Sequence, residues 1–258
     1  MDTEVHEIFT SFQGEGGTVS GSCAGCRQVF VRLRGCDVRC DWCDTAHLLG
    51  PSGQPALVEA TPGSRRREIE NPMTPTQVVD AVLALRTPSF HSVSFTGGEP
   101  LLHVPFLKKV FTILKKKKLP VFLETNGNDP KAAKKVAKLV DVASVDIKDR
   151  TAGAHGDKDW KELVAREVAS AVTFKKEGCA TYAKLVVTGR TREQDVGYVA
   201  GLLAETDVPL AIQPVTPLGD ALPPSLRLLL SFADAACERL PVEAVSLSVQ
   251  GHRQAGFP

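Results

Sequence analysis

Regular alternation between short apolar runs and longer helix-like segments is the feature that most restricts the fold of this chain. The runs are rich in β-branched and apolar residues, and most are followed by a segment with helical periodicity. Strands buried on both faces have this composition, and helical crossovers join strands that lie parallel. The candidate strands are residues 29–33, 91–96, 121–125, 140–148, 182–188, 208–213 and 244–249. The candidate helices are residues 74–85, 105–117, 131–139, 159–176, 191–205 and 224–240.

Roughly six strand–helix units fit between residues 29 and 213, which is too few for a complete (β/α)8 barrel. We therefore predict an α/β fold with a parallel sheet, in a single domain that covers residues 1–258. The segment 51–73 interrupts the pattern, because it is rich in proline, glycine and charge and has no clear periodicity. We expect it to be an inserted loop or flap, with the run of arginines at 65–67 on a solvated face.

Composition and charge restrict the class of protein. Of the 258 residues, 43% are hydrophobic and 24% are charged, as in soluble globular proteins. A formal net charge of +1 gives no general electrostatic reason to bind nucleic acid, and no apolar run is long enough to span a membrane. The opening segment MDTEVHEIFTSFQGEG lacks the apolar stretch of a signal peptide, so we expect a cytoplasmic protein. There, 7 cysteines indicate metal or thiol chemistry rather than structural disulfides.

Cys36, Cys40 and Cys43 lie close together in the run RGCDVRCDWCDT, with the spacing C-x3-C-x2-C. Thiolates are the general ligands of iron–sulfur clusters, and a [4Fe–4S] cluster normally has four of them. Three cysteines would leave one iron open to an exogenous ligand, which suits a cluster that takes part in chemistry. A zinc site with His47 as the fourth ligand, or three unconnected thiols, are the alternatives.

Polar segments follow several candidate strands, at the edge where parallel α/β sheets place their sites. Besides the cysteine loop, these segments are residues 96–99, 124–127, 146–148 and 213–216. In the first of them, within TGGEP, Gly98 exposes backbone groups to a close ligand and Glu99 supplies an anionic acceptor. A single segment of this kind is an ordinary turn, but several at one edge indicate a binding site.

The cysteine spacing together with GGEP resembles the radical S-adenosylmethionine (SAM) superfamily. In that superfamily the amino and carboxylate groups of SAM chelate the open iron, and reductive cleavage yields a 5′-deoxyadenosyl radical. Within it, the chain resembles the 7-carboxy-7-deazaguanine synthase family through EIFTSFQGEG, FVRLRGCDVRCDWCDT, TGGEPLL and ETNG. The similarity is close over residues 6–48 and 94–127. It implies an open, partial (β/α)6 barrel of the radical SAM type.

The resemblance also implies a reaction. A carbon–nitrogen lyase would convert 6-carboxy-5,6,7,8-tetrahydropterin to 7-carboxy-7-deazaguanine with loss of ammonia, on the route to queuosine and other 7-deazapurines. The radical would abstract the C6 hydrogen of the pterin, and return of the hydrogen would regenerate SAM. The implied cofactors are a [4Fe–4S] cluster, SAM and Mg²⁺. The implied partners are a reductase such as flavodoxin or ferredoxin and a second copy in a homodimer, with no nucleic acid and no membrane.

The family's functional residues carry over to the matching positions of this sequence. The cluster ligands are Cys36, Cys40 and Cys43, and Thr45 is the hard oxygen ligand of a magnesium ion beside the substrate carboxylate. The positions that match pterin contacts are Phe12, Gln13, Gly14, Arg32, Thr96 and Pro258, and the arginine side chain suits bidentate pairing with a carboxylate. The positions that match SAM contacts are Trp42, Cys43, Asp44, Gly98, Glu99, Asp146, Ile147, Lys148, Gln213, Pro214, Val215 and Thr216.

Four further cysteines lie outside this pattern. Cys23 and Cys26 form a C-x2-C pair that could bind zinc, hold part of a second cluster or form a reversible disulfide. Cys179 and Cys237 are isolated in the sequence, and we expect both to be small core residues.

Two other function classes compete with this interpretation. A glycyl-radical activase shares the cysteine spacing, GGEP and the small size, but it has no use for QGEG, Arg32 or Thr45. An iron–sulfur electron carrier or a zinc-binding interaction module would not cleave SAM, and a carrier normally uses four protein ligands.

Overall fold

The computed structural model describes residues 1–61, 63–156 and 159–254. The strands are β1 (Val5–Phe12), β2 (Arg27–Leu33), β3 (Ala56–Glu59), β4 (Arg67–Ile69), β5 (Ser92–Gly97), β6 (Val121–Thr125), β7 (Val142–Lys148), β8 (Ala180–Val187), β9 (Leu210–Pro214) and β10 (Val245–Leu247). The helices are α1 (Pro75–Ala84), α2 (Val104–Lys116), α3 (Pro130–Val136), α4 (Trp160–Lys176), α5 (Glu193–Leu203), α6 (Leu226–Cys237) and α7 (Gly251–Gln254). Short 3-10 turns occur at Ala46–Leu48, Pro100–His103, Ala137–Leu139, Arg150–Ala152 and Val242–Ala244.

The ten strands of the described ranges form one sheet in the order β10-β9-β8-β7-β6-β5-β2-β1-β3-β4. In the part of the sheet that runs from β10 through β9, β8, β7, β6 and β5 to β2, all neighbouring strands are parallel. Each chain connection between two of these strands contains a helix. The predicted parallel sheet with helical crossovers is therefore confirmed, and the six predicted units correspond to β2 and β5 to β9. The short final strand predicted near residue 245 is β10.

Two parts of the sheet differ from the sequence prediction. β1 was not predicted, and it pairs antiparallel with β2. The prediction of a loop throughout 51–73 is wrong, because β3 pairs parallel with β1 and β4 pairs antiparallel with β3. These short strands satisfy backbone groups that the edge of β1 would otherwise expose. The arginines at 65–67 are exposed as expected, and one of them, Arg66, pairs with Glu59 at 3.2 Å.

Alternate residues of the parallel strands face two different environments. On β8, Tyr182 belongs to a small apolar cluster with Phe122 of β6, and Lys184 lines a cavity. The intervening Ala183 and the following Leu185 belong to the main core beneath the helices. Because successive side chains of a strand point to opposite faces, the helices cover one face of the sheet and the other face curves around the cavity.

Helix α1 begins where the sequence predicts. The Thr74 hydroxyl accepts a hydrogen bond from the Gln77 backbone, and the Gln77 side chain accepts one from the Thr74 backbone. This reciprocal cap, with proline in the first turn, fixes the start of the helix. Val78, Val79 and Val82 are then buried in the main core.

The segment between β1 and β2 fills the floor of the cavity. Val19 and Cys23 pack in the apolar cluster of Phe122 and Tyr182. A Cβ on Gly16 would lie 2.8 Å from the Tyr182 hydroxyl, and the φ of +98° is one that glycine accepts readily. The Gly16 backbone N–H donates to the Ser248 hydroxyl at 2.9 Å, so this early loop also meets the chain just after β10.

The two isolated cysteines differ in burial. Cys179 is buried, as expected. Cys237 is exposed, so its assignment to the core is wrong, because it is the last residue of α6 and lies where that helix reaches solvent. In the described ranges no helix combines the length and the apolar character needed to cross a membrane.

Candidate active site

A cavity of about 430 Å³ lies at the C-terminal ends of the parallel strands. Most of the predicted site residues line it, namely Phe12, Gln13, Gly14, Arg32, Cys36, Cys40, Trp42, Cys43, Asp44, Thr45, Thr96, Gly98, Asp146, Lys148, Gln213, Val215 and Thr216. Glu99, Ile147 and Pro214 are not part of its lining, and Pro258 lies outside the described residues. The structure thus brings most of these residues together, while their individual roles stay predictions.

The three cysteines lie on the loop after β2, where each is half-buried at the border of the cavity. The Cys43 backbone N–H donates to the Cys40 carbonyl at 3.2 Å, which closes a turn. Trp42, between them, packs with Ala152 and Val215. Burial raises the pKa of Cys36 to about 11 and also raises the pKa of Cys40. These thiols therefore hold their protons until a metal displaces them.

The arrangement of the thiols suits a cluster. Within residues 1–61, 63–156 and 159–254, no three His, Cys, Asp or Glu side chains come close enough together to hold one metal ion. A [4Fe–4S] cluster needs a different arrangement, because each cysteine ligates a separate iron and the sulfurs stand further apart. The three half-buried thiols line one cavity, so together they could hold such a cluster with a ligand of the remaining iron beside it.

The GGEP segment packs directly against the loop that carries Cys36. The Gly98 backbone N–H donates to the Leu33 carbonyl at 2.9 Å, and the Glu99 N–H donates to the Gly35 carbonyl at 2.6 Å. A Cβ on Gly98 would lie only 2.0 Å from the Gly35 oxygen. The two segments that the sequence singled out are distant along the chain, yet they form one unit in which glycine is sterically required.

Glu99 joins the ends of β5 and β6. Its carboxylate accepts hydrogen bonds from the Leu101 backbone at 2.8 Å, the Thr125 hydroxyl at 2.6 Å and the Asn126 backbone at 2.7 Å. Burial raises the pKa of Glu99 to about 7, and these hydrogen bonds oppose the shift. The side chain holds the rim of the site in shape from behind the cavity wall.

Arg32 and Glu7 form one wall of the cavity, opposite each other on β2 and β1. The Arg32 Nε donates to Glu7 Oε1 at 2.7 Å, and the guanidinium lies 5.6 Å from the centre of the Phe9 ring. The ion pair engages Nε, and the terminal nitrogens are the ones suited to hold a second carboxylate. Sequence reasoning assigned no role to Glu7.

Glu124 brings a carboxyl group to the interior of the cavity. It accepts hydrogen bonds from Gln13 Nε2 at 2.8 Å and from the Thr96 hydroxyl at 3.0 Å. Burial raises the pKa of Glu124, and the nearby Lys184 only partly offsets this effect. The sequence contained the signal, a lone acidic residue in an apolar strand, but sequence reasoning gave Glu124 no individual role.

A chain of buried ion pairs crosses the floor of the cavity. Lys184 pairs with Glu15 and, at 3.0 Å, with Asp146, which in turn pairs with Lys148 at 2.8 Å. Burial alone would raise the pKa of Asp146, but the two lysines outweigh it and hold this pKa at about 2. The carboxylate therefore stays ionised between two ammonium groups. Sequence reasoning missed Glu15 and Lys184, although a lysine within the apolar run YAKLVV is itself an unusual feature.

Two side chains that carry oxygen atoms, those of Asp44 and Thr45, line the cavity beside the last cysteine. The Thr45 hydroxyl is 3.6 Å from the Cys43 sulfur. The Asp44 side chain is half-exposed and pairs with Arg253 at 3.3 Å. A hydroxyl and a carboxylate in contact with water are donors that suit Mg²⁺, which keeps several of its waters.

Comparisons with known proteins agree with this architecture. The model of the radical SAM superfamily matches residues 30–168, more than half of the chain. A 7-carboxy-7-deazaguanine synthase of Thermococcus kodakarensis is 43% identical over 96% of both chains. The one of Methanocaldococcus jannaschii is 35% identical over 98% of this chain and 99% of its own. A crystal structure of QueE from Escherichia coli shares the fold, with a TM-score of 0.60 at 21% identity over 98% of this chain and 95% of that one. The chain belongs to the radical SAM superfamily and, within it, to the 7-carboxy-7-deazaguanine synthase family.

Proposed function

We propose that this protein converts 6-carboxy-5,6,7,8-tetrahydropterin to 7-carboxy-7-deazaguanine with loss of ammonia, as a carbon–nitrogen lyase of 7-deazapurine biosynthesis. The observation that carries the proposal is one cavity whose lining combines the three cysteines with the guanidinium of Arg32 and the carboxyl group of Glu124. Its volume of about 430 Å³ lies in the range of small-molecule sites. The relatives named for this reaction, matched over nearly the whole chain, support it.

The cysteines would hold a [4Fe–4S] cluster that, together with SAM, supplies the radical chemistry of the superfamily. The protein contributes binding and orientation around that cofactor. Lys148 and Asp146 form an ion pair in the cavity lining, and in this proposal they would meet the charged amino-acid portion of SAM. Gln213, Val215 and Thr216 also line the cavity, and we propose them as further SAM contacts.

The part of the cavity lining that contains Arg32 and Glu124 suits a carboxylated pterin. Arg32 offers the terminal nitrogens of its guanidinium to the substrate carboxylate, with Glu7 holding Nε. The carboxyl group of Glu124 is held in place by hydrogen bonds from Gln13 and Thr96. In this proposal it is an acceptor for the N–H groups on the pyrimidinone edge of a pterin. The two polar anchors lie at separate places in the cavity lining, so they would fix the ring between them.

Several finer points belong to the same proposal. Thr45 would be the protein ligand of a magnesium ion that also binds the substrate carboxylate. The protein would act in the cytoplasm as a homodimer of single-domain subunits, and it would receive electrons from flavodoxin or ferredoxin. Pro258 is proposed as a further pterin contact on the family pattern alone.

The test is an anaerobic assay of the purified protein after cluster reconstitution. Reductant, SAM, Mg²⁺ and 6-carboxytetrahydropterin are added, and products are followed by mass spectrometry. We expect 7-carboxy-7-deazaguanine without net consumption of SAM. The Cys40→Ala variant, which lacks one iron ligand, is the matched control and should give no product.

The outcomes separate the competing functions. Cleavage of SAM without the deazaguanine would retain the superfamily chemistry but refute the substrate, and a glycyl-radical partner protein would be tested next. Reconstitution that yields neither the deazaguanine nor cleaved SAM, under conditions where the cluster is reduced, would refute a radical SAM activity altogether.

A further inference from the structure

Asp37, the residue after the first cysteine, is held by two amide side chains from the loop after β6. Asn126 Nδ2 donates to Asp37 Oδ1 at 2.8 Å, and Asn128 Nδ2 donates to Asp37 Oδ2 at 2.8 Å. Each carboxylate oxygen thus has its own amide donor. The two bonds tie the cysteine loop to the end of β6, beside the segment that Glu99 already holds.

The two amides differ in what else they reach. Asn126 is buried, with 6% of its surface exposed, and its Nδ2 also lies 3.9 Å from the sulfur of Cys36, within hydrogen-bonding range for sulfur. Asn128 makes the same bond to Asp37 but has no bond to a cysteine among its described contacts. An amide nitrogen has two hydrogens, so Asn126 is able to donate to the carboxylate and to the sulfur together.

The orientation of the Asn126 amide is fixed by its other partners. Its Oδ1 accepts a hydrogen bond from the Asn128 backbone N–H at 2.9 Å, and its own backbone N–H donates to Glu99 at 2.7 Å. If the amide were flipped, an NH₂ group would face a backbone N–H and an oxygen would face the Asp37 carboxylate. Both contacts are repulsive, so the nitrogen must point toward Asp37 and Cys36.

We propose that Asn126 is a positioning residue for the iron–sulfur cluster. Its side-chain amide donates an N–H···S hydrogen bond to the Cys36 thiolate and thereby raises the reduction potential of the cluster. Hydrogen bonds to ligand sulfurs are a general determinant of cluster potential. A donor favours the reduced cluster, because that state places more negative charge on the sulfur. The inference rests on the proposed function only in requiring that Cys36 ligates an iron.

The test compares three forms of the reconstituted full-length protein: the parent, Asn126→Ala and Asn128→Ala. The readout is the midpoint potential from an anaerobic redox titration followed by electron paramagnetic resonance, with no substrate present. Losing one hydrogen bond to a charged sulfur should make reduction roughly tenfold less favourable in Asn126→Ala, which is about 59 mV for one electron. Asn128→Ala removes the bond to Asp37 and the bond that Asn128 Oδ1 accepts from Arg166 Nε at 2.9 Å, but no bond to a cysteine sulfur. Its potential should stay within about threefold of the parent.

Several results would overturn the inference. Equal potentials in the parent and Asn126→Ala, or equal shifts in both variants, would show that the sulfur contact has no effect of its own. If Asn126→Ala does not fold, as judged by circular dichroism, Asn126→Ser removes the same donor with a smaller loss of polar contact and must show the same shift. A folded variant that binds no iron would assign Asn126 to cluster assembly instead of tuning.

The result for the parent separates this inference from the proposed function. A parent that holds a cluster but does not act on the pterin refutes the proposed reaction alone, because the potentials of the three forms remain measurable. A parent that holds no cluster refutes both.

Discussion

Replacing Gly98 by alanine tests the idea that the GGEP segment and the cysteine loop form one unit. The added Cβ would lie 2.0 Å from the Gly35 oxygen and 2.6 Å from its carbonyl carbon. Both obstacles are backbone atoms, which have no rotamer by which to move aside. Gly97 is a less useful target, because its φ of +122° would strain any other residue whatever the space.

The loss of stability in Gly98→Ala follows from the contacts that the added methyl group would break. The segments are joined by the Gly98–Leu33 and Glu99–Gly35 backbone hydrogen bonds, at 2.9 and 2.6 Å. Losing both costs about 2 kcal/mol, and the strain of forcing in a methyl group adds about 1–3 kcal/mol. We therefore expect Gly98→Ala to lower the free energy of unfolding by about 4 kcal/mol, a large fraction of the total for a typical domain.

The assay is urea denaturation of the iron-free protein, followed by measurement of bound iron after reconstitution. Gly201→Ala is the matched control, because Gly201 lies in α5 and no atom comes within 4 Å of the position that the added methyl group would occupy. That change should leave iron binding intact and stabilise the helix by about 0.5–1 kcal/mol. If Gly98→Ala unfolds at the same urea concentration as the parent, the packing argument is refuted, and Gly98 would be required only for access of a ligand.

Three further predictions concern single side chains of the site. Arg32→Ala should raise the KM for the pterin at least tenfold while leaving the visible spectrum of the cluster unchanged; a lost cluster spectrum would show that the effect is structural. Thr45→Ala should leave SAM binding intact, measured by calorimetry, but weaken the dependence of the rate on Mg²⁺, whereas Thr45→Ser should retain it; an unchanged response to Mg²⁺ in the alanine variant would contradict the assignment. Because burial raises the pKa of Glu99 from its ordinary 4.5 to about 7, the folded protein retains a proton that the unfolded chain releases, and the free energy of unfolding should fall as the pH rises between those values. Glu99→Gln should lack this component of the pH dependence in urea titrations at pH 5 and pH 7.5, and parallel curves for parent and variant would refute the pKa argument.

The parallel strands were predictable because one face of each packs beneath the helices in the main core, and the cavity face adds only isolated polar residues such as Glu124 and Lys184 to otherwise apolar runs. β1 was missed because VHEIFTSF mixes polar and apolar residues, as expected of a strand whose Glu7 lines a water-accessible cavity. β3 and β4 were missed because they are short strands at one end of the sheet, in a segment rich in proline and glycine. Their pairing depends on the exposed edge of β1, which is distant in the sequence.

The site residues also fall into those that a local sequence pattern predicts and those that only the fold brings together. Residues in recognisable local patterns, such as Cys36 and Gly98, were predicted because their spacing carries the signal, and both line the cavity. Glu15 and Lys184 come from distant parts of the chain, and what makes them important is that they meet as a buried ion pair. The orientation of Glu99 likewise depends on donors from the end of β6, so only the three-dimensional structure reveals that its carboxylate is buried and hydrogen-bonded there, outside the cavity lining.

The loop between β1 and β2 has a consequence for the order in which this protein matures. Gly14 accepts a hydrogen bond from the Gly251 backbone at 2.9 Å, and Glu15 accepts one from Gln250 at 2.7 Å. Residues 14 and 15 thus depend on partners that are synthesised about 235 residues later in the chain. A nascent chain is able to build the central strands as they emerge, but the floor of its cavity waits until β10 and the turn beyond it have left the ribosome. Contacts between residues so far apart in the sequence are slow to form. A cluster that is inserted while the chain is still being made would therefore meet cysteines beside a cavity whose floor is not yet in place.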